Sequence, residues 1–280
     1  MKWKTVRLFS VTFVLSLAIL LSFGAIILLL PQHSGEAAAV ESTASYYPRQ
    51  DDNLSVLAIG KEDGENNAHF FTLLRFDAEK GRLTLTGLPP DTEISIGTKT
   101  ETLNRHYQQG GGSSAVRAVR QALRVSVDRY AVFDEDDLLV LADTLGGVEY
   151  QLEQDMVNSQ TSLCQGLQTL DGARFRDAIL FDENFELDLS LTKALIEQKM
   201  LSLTSEAADA LFEKMTGLLD TNLSYYDYAG RKDALQAWAA KKDNVQIFLL
   251  SGAYDPDSGM YLPDQTSVEE YRTQIYGLES

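Results

Sequence analysis

Residues able to do chemistry are few in this sequence, and most of their arrangements stop short of a reaction site. Gly110-Gly111-Gly112-Ser113-Ser114 has the glycine content of a phosphate cradle at a helix start, where free backbone N–H groups attract anions. No lysine follows, so the expectation is a flexible loop. Asp255, Asp257 and Gly259 begin like a calcium loop. The glycine comes one place early and Thr266 stands where the bidentate glutamate belongs, so a turn is expected. Arg117, Arg120 and Arg124 fall on one helical stripe, either a solvated face or an anion-docking face. The three histidines, His33, His69 and His106, make no H-E-x-x-H. No serine sits in a G-x-S-x-G elbow, and there is no G-x-G-x-x-G. The single cysteine, Cys164, excludes an intrachain disulfide framework and is expected as a buried or half-buried thiol.

The elements that must position these residues are bounded by composition. The 280 residues carry 41 Asp+Glu against 24 Lys+Arg, a formal charge of −17, and 44% are hydrophobic. A core of ordinary size is therefore available. Lys2, Lys4 and Arg7 are the only charged residues among the first 30, so the remainder stands at −20. Such a body repels nucleic acid, and no basic cluster is dense enough to override it.

The apolar stretch 8–30 holds 23 residues without a charge and would span roughly 35 Å as a helix. The positive charges before it place residues 1–7 in the cytoplasm and the body outside. It is too long for the usual secretory apolar region, so an uncleaved anchor is expected rather than a signal peptide removed near Ala37–Ala39. Residues 31–52 read as a juxtamembrane linker and 53–280 as one extracytoplasmic domain.

Within that domain, Leu54–Gly60, Phe70–Phe76 and Arg82–Leu88 read as strands, the last two joined by a turn over Asp77–Gly81. A helix capped by Ser113 or Ser114 is expected to bury Val116, Val119 and Leu123. Tyr130–Phe133 reads as a strand and Glu135–Leu145 as a helix stopped by Gly146-Gly147. Helices are expected over Leu189–Leu203, Glu206–Leu219 and Tyr225–Ala240, and a last strand over Val245–Leu250. The alternation predicts an α/β fold, a mixed sheet flanked by helices.

The order of several stretches resembles the LytR-CpsA-Psr (LCP) family. Leu54–Gly60, Thr72–Asp77 and Leu83–Asp91 resemble its opening; Leu103-Asn104 before Gly110-Gly111 resembles its Asn and glycine-pair segment. Asp128–Phe133 followed by Leu141–Val148 is the most specific match; Gly166–Gly172 and Asp220–Ser224 are similar to two later elements. The resemblance implies a membrane-tethered enzyme of the bacterial envelope. Such enzymes move a glycopolymer from a polyprenyl pyrophosphate carrier to peptidoglycan, with Mg²⁺ on the pyrophosphate. Positive charge must then meet the transferring phosphoryl group, and the lipid tail needs an apolar tunnel.

Where the family supplies that charge, this sequence departs from it. The Asp-x-Arg after the first strand falls on Glu62 and Gly64; the Arg-Ser-Asp before the second falls on Asn67, Ala68 and His69. Pro89-Pro90-Asp91 replaces Pro-Arg-Asp, the later Arg-x-Arg falls near Leu180 and Asp182, and a last arginine pair and glutamine fall near Leu187, Ser190 and Leu191. Arg105, Arg174 and Arg176 lie nearby, at no matching position. Two readings follow. One is a non-catalytic relative that binds a polyprenyl-type lipid or an envelope partner through Asp91, Asn104, Arg105, Leu180, Leu187 and Leu191, with no cofactor. The other is an active transferase with Glu62, Asp63 and His69, aided by Asp91, at a Mg²⁺ and borrowed arginines on the phosphate. For the leucines, an open lipid tunnel and a filled, solid core remain alternatives.

Overall fold

The computed structural model describes residues 46–61, 67–158, 161–181, 185–241 and 244–278. The expected anchor over 8–30, most of the linker, Glu62, Asp63 and Asp182 lie outside these residues. Among the described residues no helix is long and apolar enough to cross a membrane.

Tyr46–Ser280 forms one compact unit. It opens with a 3₁₀ turn, Gln50–Asp52, whose buried Asp52 carboxylate accepts from Tyr46 Oη at 2.8 Å and from Arg49 Nη2 at 3.1 Å. Then come β1 (Leu54–Lys61), β2 (Ala68–Asp77), β3 (Arg82–Leu88), the hairpin β4–β5 (Glu93–Ile96, Lys99–Thr102) and helix α1 (Leu103–Leu123). Next are β6 (Arg129–Phe133), α2 (Glu135–Thr144), β7 (Val148–Leu152), β8 (Met156–Val157), β9 (Ser162–Leu163), β10 (Gly166–Leu170), α3 (Gly172–Ile179) and α4 (Phe185–Gln198). The chain ends through α5 (Ser205–Leu218), β11 (Asp220–Thr221), α6 (Tyr225–Ala229), α7 (Lys232–Ala239), β12 (Val245–Ile247), the hairpin β13–β14 (Gly252–Tyr254, Tyr261–Pro263) and α8 (Gln265–Tyr276).

Six strands form the main sheet in the order β11-β6-β1-β2-β3-β12. The β1–β2 and β2–β3 pairs are antiparallel, while β6 joins β1 and β12 joins β3 in parallel. The sheet is therefore mixed, as its alternating elements predict. Because side chains alternate across a strand, Leu57, Ile59, Phe71 and Leu73 face one layer, with Val116, Val119 and Leu123 of α1 and Val268 and Tyr271 of α8. Phe76, Leu83 and Leu85 face the other, with Leu189 and Ile196 of α4 and Trp238 of α7. A third cluster gathers α2, α3, α4 and the β7–β10 ladder around Phe175 and Leu191.

Several expectations need correction. The first long helix starts ten residues before Ser113: Thr102 is its cap, accepting from the Arg105 N–H at 3.1 Å. The glycine run is a kink inside it, at Gly110 and Gly111 (φ 61), rather than a loop. Arg117, Arg120 and Arg124 are exposed on its outer face, where Arg120 Nε donates to Val127 O at 2.8 Å and Arg124 approaches Glu269. The span read as one helix from Tyr225 to Ala240 is two, separated at Gly230 and Arg231. Cys164 is exposed, between β9 and β10. The Asp255–Gly259 segment, by contrast, is the turn expected of it, closed by the Gly259 N–H to Asp255 O at 2.8 Å.

Candidate functional site

β1 and β3 both end, and β2 begins, at the same end of the sheet's central strands. A cleft of about 180 Å³ opens there. Its floor is built by backbone and amide bonds. Pro89 O accepts the Thr92 N–H at 3.0 Å and the Thr92 hydroxyl at 2.6 Å, which turns the chain sharply as β3 ends. Pro90 O accepts the Asn104 N–H at 2.9 Å, and Asn104 Oδ1 accepts the Ala68 N–H at 3.0 Å. The first turn of α1 is thus tied to both β2 and the β3 exit. Asp91 O accepts the Tyr261 N–H at 2.9 Å, which fixes the backbone while the side chain stays exposed.

The lining brings together Asn67, His69, Phe70, Asp91, Asn104, Asp188 and Tyr254, with Leu88, Pro89 and Pro90 as the apolar wall. Asp91, Asn104 and His69 are therefore neighbours in space. His69 Nε2–H donates to Ile179 O at 3.1 Å, which leaves only Nδ1 of the neutral ring able to accept a proton or bind a cation. No arginine or lysine is among the described residues that line it. Arg105 follows Asn104 directly, yet its side chain is exposed, with Nη1 donating to Gln108 Oε1 at 3.0 Å. Arg176 is turned to Asp177 at 2.6 Å. The hydrogen bond to Asp177, then Glu135 and Asp136, raise its pKa further, so this cation is already matched to acids outside the cleft.

Sequence reasoning missed Asp188 and Tyr254. Asp188 is only 5% exposed, on α4 three residues before Leu191 and seven before Leu195. A carboxylate at i on a stripe whose i+3 and i+7 members are apolar is the signal that could have found it. Tyr254 comes from a hairpin with no hydrophobic run to mark it.

Leu180, Leu187 and Leu191 sit elsewhere. Leu191 is fully buried in the third cluster, and Leu180 and Leu187 pack half-buried against it beside Phe133 and Phe181. Phe70 packs on this cluster and also lines the cleft. A second, shallower cavity of about 230 Å³ lies between β4, the end of α1 and the start of α8. Neither cavity reaches the three leucines.

Mg²⁺ would need several hard oxygen ligands in near-octahedral array. Among the described residues no three His, Cys, Asp or Glu side chains converge on a point that could hold a metal ion. Asp91, Asp188 and a histidine with one nitrogen already engaged do not fit such a site.

A mixed sheet with its cleft at the ends of its central strands has relatives of known sequence and structure. The chain belongs to the LytR_cpsA_psr family, whose model matches residues 31–179, more than half of it. It is similar to the polyisoprenyl-teichoic acid–peptidoglycan teichoic acid transferase TagV of Bacillus subtilis strain 168, with 22% identity over 250 residues. That match covers 79% of this chain and 63% of TagV, so the chain spans less than two thirds of this relative. In fold it resembles a crystal structure from Eubacterium siraeum DSM 15702 described as a transcription regulator, with TM-score 0.76, 17% identity, and 84% and 96% of the two chains covered. It also resembles Bacillus subtilis TagT bound to LIIa-WTA, with TM-score 0.66, 21% identity, and 85% and 94% covered. The domain is thus an LCP domain related to teichoic acid transferases.

Proposed function

We propose that this LCP domain has lost phosphoryl transfer and serves the cell envelope as a binding module, held at the outer face of the membrane by residues 8–30. The observation that carries the reading is the cleft's lining, which among the described residues holds two carboxylates, amides, a histidine and prolines, without an arginine or lysine. A phosphoryl group in transfer accumulates negative charge that fixed cations must meet. Asp91 and Asp188 present charge of the wrong sign there.

The partner is a cell-wall polymer or an envelope protein rather than a polyprenyl tail. Small-ligand pockets generally exceed about 300 Å³, whereas this cleft holds about 180 Å³ and the leucines that would line a tunnel are packed. A body at −20 also favours a neutral or cationic surface over a polyanion. The test is cosedimentation of the full-length chain, kept in detergent, with purified peptidoglycan sacculi before and after removal of anionic polymers. Binding retained or strengthened by stripping supports the reading; binding lost on stripping contradicts it.

The similarity to TagV favours a second reading, an active transferase with Glu62, Asp63, His69 and Asp91 at Mg²⁺. The lack of cations among the described lining residues opposes it.

A further inference from the structure

At the other end of the strands from the cleft lies a row of polar side chains inside the core. Ser55, Arg75, Thr84 and Gln246 are cross-strand partners across β1, β2, β3 and β12. Side chains directly opposite in neighbouring strands share a face, and this face is the one covered by α8. Arg75 is only 8% exposed and Ser55 is fully buried. Part of the row is satisfied. Arg75 Nη1 donates to Ser55 Oγ at 3.1 Å, and Ser55 Oγ lies 3.0 Å from Tyr276 Oη. The Tyr276 hydroxyl donates to Ser126 O at 2.9 Å, so Ser55 is the donor between them. The Tyr276 ring lies under the guanidinium, 4.6 Å away, and Gln246 Nε2 donates to Thr84 Oγ1 at 2.8 Å.

The rest is not. Among the described residues, Arg75 Nε, Thr86 Oγ1 and Tyr271 Oη are buried and have no hydrogen-bond partner. Among the described residues Arg75 makes no ion pair within 4.0 Å. Asp128, at the neighbouring end of β6, directs one carboxylate oxygen to the Ser55 N–H at 2.8 Å instead. The tyrosines cannot supply the missing charge. Burial pushes Tyr271 well above the usual phenol range and also raises Tyr276, so both stay neutral. Thr86, Tyr276 and Arg75 are near enough to Tyr271 to bias its ionisation, though none meets hydrogen-bond geometry with its hydroxyl.

A buried cation without a counter-charge is costly, and buried donors without acceptors add to the cost. We propose that Arg75 Nε, Thr86 Oγ1 and Tyr271 Oη together hold a small inorganic anion of halide size between the sheet and α8. Water would engage these donors but leave the guanidinium uncompensated; an anion does both. The bound ion would link β2 and β3 to the carboxyl-terminal helix. This inference stands apart from the reading of the cleft.

The test is thermal unfolding of the full-length chain in detergent at constant ionic strength, with chloride or bromide exchanged for gluconate. The midpoint should rise saturably with halide. Thr86→Val keeps the side-chain shape and should weaken the halide response about tenfold, the loss expected for one charge-assisted hydrogen bond. Arg75→Met should abolish it. Crystals grown in bromide should show anomalous density among the three atoms. A midpoint indifferent to the anion, a halide response equal in wild type and Thr86→Val, or density without anomalous signal would each overturn the proposal. Should Arg75→Met fail to fold, Thr86→Val and the bromide density decide alone.

Discussion

Asn104 Oδ1 accepts the backbone N–H of Ala68 at 3.0 Å, across 36 residues of sequence, at the edge of the cleft. The first turn of α1 is thereby fastened to the first residue of β2. Ala68 is buried, so removing the acceptor strands its N–H. Asn104→Ala should cost about 1–3 kcal/mol, while Asn104→Asp, which keeps an acceptor oxygen, should cost less. Urea denaturation of the two variants side by side measures the difference.

Leu191 is fully buried within the third cluster, with Leu195 at 2% exposure one turn on. Leu191→Ala should therefore destabilise by about 3 kcal/mol, as truncation in a packed core does. Were the leucine the wall of an open lipid tunnel, the loss would stay below about 1.5 kcal/mol, since little new cavity would form. Denaturation midpoints at matched protein concentration separate the two.

Asp227 carries the clearest pH signature. Burial alone would raise its pKa, but the Arg129 guanidinium, with Nε at 2.9 Å and Nη2 at 2.8 Å, and the Ser224 cap outweigh it and hold the carboxyl at about 2 against an ordinary 3.8. A carboxyl depressed on folding stabilises the protein above its unfolded pKa, and that stability fades as pH falls through the folded one. About 2 kcal/mol should disappear between roughly pH 4 and pH 2. Asp227→Asn should be less stable at pH 7 and flatten that acid limb, read from unfolding free energies across the interval.

Much of this architecture was legible because its signals are local. Arg82–Leu88 is a strand between the bounds that its apolar run sets, and the Asp77–Gly81 turn lies where the charges and glycine place it. Glu135 opens α2 behind Asp134, whose carboxylate completes a capping box with Asp137. Elements without a hydrophobic run escaped notice: the exposed β4–β5 hairpin, the alternating β7–β10 ladder and α8, where Tyr271 and Ile275 are buried among polar neighbours. The start of α1 was hidden because Gly110 and Gly111 imitate a boundary, whereas the true cap, Thr102, precedes a polar first turn. In the site, Asn104 lies in the hidden first turn of α1, but Asp91 and His69 could be placed from the ends of β3 and β2. Asp188 could not, since its contact with the cleft depends on how α4 packs and not on its neighbours in sequence.

The glycine pair that ends α2 makes a position-specific prediction. Gly147 has φ 71, and a Cβ there would lie 2.6 Å from Leu170 O; Gly146 has φ 78 but open space around it. Gly146→Ala should cost about 1–2 kcal/mol from backbone conformation alone. Gly147→Ala should cost more, because the added carbon also meets a backbone atom that cannot swing away. Paired thermal melts give the ranking, and equal costs would mean that the β10 backbone yields.

The central claim is that a cleft whose described lining holds no arginine or lysine does not transfer phosphoryl groups. The most direct measurement is incubation of the full-length chain, in detergent, with a polyprenyl pyrophosphate-linked glycan, Mg²⁺ and peptidoglycan, following release of the lipid carrier. The account predicts no release above the protein-free rate, for wild type and Asp91→Ala alike. Mg²⁺-dependent release by the wild type that Asp91→Ala abolishes would contradict it and establish an active, rearranged transferase site.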